Sequence, residues 1–143
     1  GFYHYARPEN NLAVEEARHF LDRVSPYIGK AIFALDWEER ALNYPVSWAK
    51  DFLDYFYAQT GVRPLIYVSA WYTTKLKSLV DGNYGLWVAH YTPKGKPSTG
   101  VYPFYAFWQY ATPEHNYTGQ PCVCDYDYFN GSESALKAYM QIH

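Results

Sequence analysis

Residues 33–40 read FALDWEER, and the change of character within those eight positions decides how the chain is read. Together with Ala31 and Ile32, the first half is a continuous apolar run of strand length. Such a run fits a strand covered on both faces, as in a parallel α/β sheet. It ends abruptly in charge, with Asp36 and Glu38 on either side of Trp37. Side chains alternate along an extended backbone, so the two acids share one face and Trp37 takes the other.

The same pattern recurs outward from this stretch. GFYHYA (1–6) is strand-like, and residues 12–24 place Ala13, Ala17, Phe20, Leu21 and Val24 at helical spacing. A second amphipathic helix is expected over 47–60, with Ser47 as its N-cap and Gly61 as its stop. PLIYVS (64–69) and LWVAHY (86–91) read as strands around a short helix at 70–80. FYAFWQYA (104–111) and CVCDYDYF (122–129) are two more extended pieces, and a helix over 133–141 closes the chain. Strands alternating with helices predict a parallel α/β sheet, less regular in its second half, where full helices between strands are missing.

Composition narrows the function. The chain has 143 residues, which suits one domain. Its net charge of −2 leaves no basic surplus for a nucleic-acid partner. No apolar run approaches the ~18 residues of a membrane span. Aromatic residues make up 21% of the chain, with 17 Tyr. That fits a ring-rich core, and equally a wet, ring-lined surface for flat sugar rings or a protein partner. Cys122 and Cys124 stand at i and i+2, about 6.6 Å apart on an extended segment, near the upper limit for a disulfide. With no second Cys/His cluster at zinc spacing, they are read as free, partly buried thiols. No G-x-S-x-G, P-loop or G-x-G-x-x-G occurs.

Active sites of parallel α/β folds gather at the carboxyl ends of the strands. Here the strands end in turn at His4 and Tyr5, at Asp36 and Glu38, at Tyr67 and Ser69, at His90 and Tyr91, at Trp108, Gln109 and Tyr110, and at Asp125 and Asp127. Together these ends describe a polar, ring-lined cavity. Two adjacent carboxylates disfavour double ionisation, so one holds its proton and can donate it while the other stays anionic. Glycoside hydrolysis needs that division of labour. A pair solvated at a strand end, or bridged to Arg40, is the ordinary alternative.

The strings GFYHYAR (1–7), LDWE (35–38), PLIYVS (64–69), LWVAHY (86–91), FWQYA (107–111) and DYDYFNG (125–131) together resemble the glycoside hydrolase family 25 lysozymes. These are N-acetylmuramidases that cut the peptidoglycan backbone. The resemblance runs in order from residue 1 to about residue 131. It implies an irregular TIM-like (β/α) barrel forming one catalytic-type domain over 1–143. It also implies cleavage of the β-1,4 bond between N-acetylmuramic acid and N-acetylglucosamine. Glu38 matches the general acid, Asp36 the paired carboxylate that stabilises charge or orients the substrate's N-acetyl group, and Asp125 the C-terminal active-site acid. His4, Tyr67, Tyr91, Trp108 and Gln109 fall where the family lines its groove, and Asp127 is read as structural. Peptidoglycan strands are the implied partner, a secreted or cell-wall location the implied setting, and no metal or cofactor is expected. Backbone spacing at 36 and 38 is compatible with both retention and inversion.

The sequence also departs from that pattern. The family barrel has eight strands, with a further Asp in a G-x-D-V-S segment on the first, and residues 1–143 match about six strands from the third onward. Open strand edges invite pairing, so self-association is expected. The missing wall of the groove keeps a second reading in view, a glycan-binding module with weak or absent turnover.

Overall fold

Each apolar run is a strand in the computed structural model, which describes residues 1–143. β1 (Phe2–Tyr5) leads to α1 (Ala13–Val24), β2 (Phe33–Asp36) to α2 (Val46–Thr60), and β3 (Leu65–Ser69) to the short α3 (Lys77–Asp81). β4 (Leu86–Ala89), β5 (Phe107–Ala111) and β6 (Tyr126–Phe129) follow, and α4 (Glu133–Ala138) comes last. The strands form one sheet in chain order, curled into an incomplete barrel of the irregular TIM-like kind with β1 and β6 at its edges. No helix is long and apolar enough to cross a membrane.

Helical spacing gives α1 a buried side of Ala13, Ala17, Phe20 and Val24, and α2 one of Ala49, Phe52, Leu53 and Phe56. The two helices pack on each other and on the outer face of β2. Phe20, Phe33, Phe52 and Phe56 meet there, with Phe33 and Phe56 ring centroids 5.2 Å apart and Phe20 and Phe56 5.6 Å apart. Leu35, Trp37, Ile66, Val68 and Val88 extend the same core and are fully buried. α2 ends at Gly61, whose φ of 70° is left-handed and strains most other residues. Its start differs from expectation: Pro45, not Ser47, is the N-cap, with no side-chain cap. The proline ring already fixes φ near the value found there, −61°.

The sixth strand corrects an all-parallel reading. β1 to β5 are parallel, but β6 runs antiparallel to β5. The loop over residues 112–125 returns the chain along β5 in the opposite direction, without a crossover to the far end of the sheet. Asp125 therefore precedes the last strand instead of ending it. Reversal brings it to the end of the sheet where the parallel strands finish. β5 is also shorter than its apolar stretch, because Phe104 stands 61% exposed in the preceding loop. Cys122 and Cys124 are free thiols ahead of β6, with Cys124 exposed rather than partly buried.

These placements predict contrasting costs. Phe56→Ala is expected to lower unfolding free energy by about 3–5 kcal/mol. Phe104→Ala should stay within about 0.5 kcal/mol of the parent. Urea unfolding of the two variants measures both, and equal losses would contradict this core.

Candidate active site

Parallel pairing sets Tyr5, Asp36, Tyr67 and Trp87 side by side across β1 to β4. This row lies on the face opposite the helices. Two backbone bonds hold the end of β2 between its neighbours. Ala6 N–H donates to the Asp36 carbonyl at 3.0 Å, and Trp37 N–H donates to the Tyr67 carbonyl at 2.9 Å. Trp37 is fully buried on the helix side, 5.7 Å from the Trp48 ring. Glu38 continues extended, with φ −146° and ψ 177°, so its side chain follows that of Asp36 to the inner face. The chain then turns sharply at Glu39, whose φ is 51°, into a 3₁₀ turn over Glu39–Asn43.

Gln109 organises the opposite wall. Its Oε1 accepts from the Tyr67 hydroxyl at 2.7 Å and from the Tyr91 hydroxyl at 2.6 Å. Its Nε2 donates to Asp125 Oδ2 at 3.2 Å. The amide thus accepts from two phenols on one side and donates to a carboxyl oxygen on the other. One step along, the Trp87 indole N–H donates to Asp127 Oδ1 at 2.6 Å, and Trp87 meets Tyr67 edge-on at 5.2 Å. Asp127 thus anchors a wall ring.

Electrostatics divide the carboxylates. Asp36 is only 8% exposed, and its Oδ1 has no hydrogen-bond partner. Burial, then the charges of Glu38 and Glu39, push its pKa up to about 7. Half-buried Glu38 is also raised, by burial and by Glu39. Neither acid is in an ion pair, so the bridge to Arg40 does not form. Both acids are thus held toward their protonated forms. Burial keeps the Tyr67 and Tyr91 hydroxyls protonated, as their donor roles require.

Two residues expected in the groove lie elsewhere. His4 faces the helices, where its Nε2 is 2.8 Å from Glu16 Oε2 and its ring lies 5.2 Å from that of Phe52. Glu16 also accepts from Asn11 and from the Arg7 backbone N–H, which closes a polar cluster under the sheet. Trp108 likewise packs against the outer core, and its indole N–H donates to the His90 carbonyl at 2.8 Å. Strand parity explains both. Phe2 pairs with core-facing Phe33, so His4 shares its face, while Tyr5 aligns with Asp36. Tyr5, at the end of β1, faces the groove, and Glu39, in the turn after β2 where no strand period places it, joins it there. The Tyr5 hydroxyl donates to Glu39 Oε2 at 2.7 Å at the mouth of the groove.

A model of the family described as glycosyl hydrolases family 25 matches residues 1–118. The chain belongs to that family. The match takes in Asp36, Glu38, Tyr67, Tyr91 and Gln109, and stops short of Asp125. The uncharacterized protein YegX of Escherichia coli O157:H7 is 32% identical over 144 residues, covering 98% of this chain and 51% of YegX. The chain therefore spans about half the length of the curated relatives it matches. A muramidase from Acremonium alcalophilum superposes with a TM-score of 0.73 at 26% identity, over 96% of this chain and 71% of that one. A bacterial lysozyme from Streptomyces coelicolor gives 0.75 at 25% identity, over 96% and 70%. A family 25 glycosyl hydrolase from Bacillus anthracis, 19% identical, shares the fold with a TM-score of 0.73 over 97% and 67% of the two chains.

The buried proton on Asp36 has a measurable consequence. An unfolded Asp ionises near a pH of about 3.9, whereas the folded one does so near about 7. The favourable contribution is complete below the lower value and lost as pH rises to the upper. Asp36→Asn cannot ionise. It should match the parent near pH ~3 and exceed its stability near pH ~8 by on the order of 2–4 kcal/mol. Urea unfolding at both pH values tests this, and a pH-independent difference would refute it.

Proposed function

We propose that this chain carries the catalytic centre of a peptidoglycan-cleaving glycoside hydrolase. Its bond is the β-1,4 linkage between N-acetylmuramic acid and N-acetylglucosamine. The observation that carries the reading is the pairing of Asp36 and Glu38 on one inner face, unbridged by any cation and both raised in pKa. Glu38 is the more accessible of the two and acts as general acid, passing its proton to the glycosidic oxygen as the bond breaks. Its carboxylate then takes a proton from the incoming water. Asp36, neutral up to about pH 7, fits the role of orienting the substrate's N-acetyl group better than that of a fixed anion. Tyr67, Tyr91, Gln109 and Asp125 form the wall against which the sugar is held.

The reading sets the chain at the cell wall, outside the cytoplasm, where peptidoglycan lies. It includes association between copies. β1 is an edge strand with Tyr3 65% exposed and Phe2 38% exposed, and an unpaired edge of that kind is a template for another strand. Light scattering behind a sizing column should show a dimer or larger species, and a monomer at high concentration would remove this part.

Clearing of a peptidoglycan suspension tests the chemistry. Glu38→Gln should lose at least about 100-fold in rate, the low end of what a general acid contributes. Parent activity should decline as pH rises through the raised pKa of Glu38, because only its protonated form donates. Equal clearing by parent and variant would sink the proposal. Wall binding without clearing by the parent would point instead to a glycan-binding module.

A further inference from the structure

Glu39 is neither acid of the pair nor part of the Gln109 wall, yet its geometry is unusual. Its φ of 51° lies in the left-handed region, which side chains other than glycine, asparagine and aspartate rarely occupy. Nothing buries it: the side chain is exposed. A sparsely populated backbone held at an exposed position beside one buried and one half-buried acid points to function more than to packing. The carboxylate is also fixed in space, because Tyr5 donates to its Oε2 at 2.7 Å from the neighbouring strand.

We propose that Glu39 is a positioning residue: a third carboxylate, held beside the Asp36–Glu38 pair by its left-handed turn and by Tyr5, that sets how strongly the pair holds its protons. Its bearing on catalysis rests on the glycosidase reading, while the electrostatic effect does not.

The surroundings leave its charge unopposed. Arg7, after β1, lies with its guanidinium carbon 5.6 Å from the Tyr5 ring centroid, and Arg40 follows Glu39 in the turn. Neither pairs with Glu39. From β2 the facing groups are Asp36 and Glu38, and Tyr67 from β3 is a neutral phenol next to them. Negative charge on Glu39 therefore falls on the pair, and it is among the causes that raise both acids. The same contact raises the Tyr5 hydroxyl to about 12, so Tyr5 remains a donor wherever Glu39 is ionised. Removing the charge should let Asp36 and Glu38 release protons at lower pH.

Carboxyl ¹³C NMR titration of the 143-residue chain reads this directly. In E39Q the Asp36 midpoint should fall by about half a pH unit, as expected for one unit charge lost at a partly solvated distance. E39G takes the left-handed turn without strain and should give the same fall, which separates charge from backbone. Y5F keeps the charge but frees it to swing into solvent, and should shift the midpoint the same way by less. The high-pH limb of wall clearing should move down as well, because Glu38 loses the same neighbouring charge. An Asp36 midpoint unmoved in E39Q or in Y5F overturns the proposal. If the midpoint moves but no variant clears walls, the hydrolase reading fails and this one stands. If clearing persists with the midpoint unmoved, the outcome is the reverse.

Discussion

The structure depends on alternation in β2. Phe33, Leu35 and Trp37 are fully buried against the helices, and burying side chains of that size stabilises by about 1.5–3 kcal/mol each. The same alternation forces Asp36 and Glu38 onto the inner face. Holding Asp36 in a site that raises its pKa to about 7 costs on the order of 4 kcal/mol near neutral pH. Three buried side chains outweigh one reluctant acid, so the strand keeps its register and the acid keeps its proton. Shifting β2 by one residue would rescue Asp36 and expel the core.

Around that fixed point the aromatic residues sort by chemistry. Phenylalanines gather on the helix side, where Phe20, Phe33, Phe52 and Phe56 need no partner. On the inner face Tyr5, Tyr67 and Tyr91 have hydroxyls that meet acceptors, and each acceptor belongs to the groove. Three of the 17 tyrosines thereby make a wall that is both ring-lined and hydrogen-bonded. Gln109 makes that possible by accepting on one side and donating on the other, which joins β3, the end of β4, β5 and the approach to β6.

Reversal of the last strand matters as much as its residues. A parallel β6 would carry Asp125 to the far end of the sheet. The antiparallel return places it 3.2 Å from Gln109 instead. Family membership rests on residues 1–118, so the place of Asp125 in the groove comes from this topology and not from that match.

Much was legible in the linear sequence. Apolar runs fixed the order of strands, helical spacing fixed the buried sides of α1 and α2, and the D-x-E step fixed which two acids share a face. These are local properties, set by a period of two or 3.6 residues and the need to bury apolar surface. The tertiary structure alone decided which face each short strand turned inward. His4 and Trp108 sit at the proper strand ends, but their parity sends them to the helices, while Tyr5 is drawn inward by register with Asp36. It also decided that Asp36 is held toward its protonated form, because that depth of burial arises only once β1, β2 and β3 lie side by side.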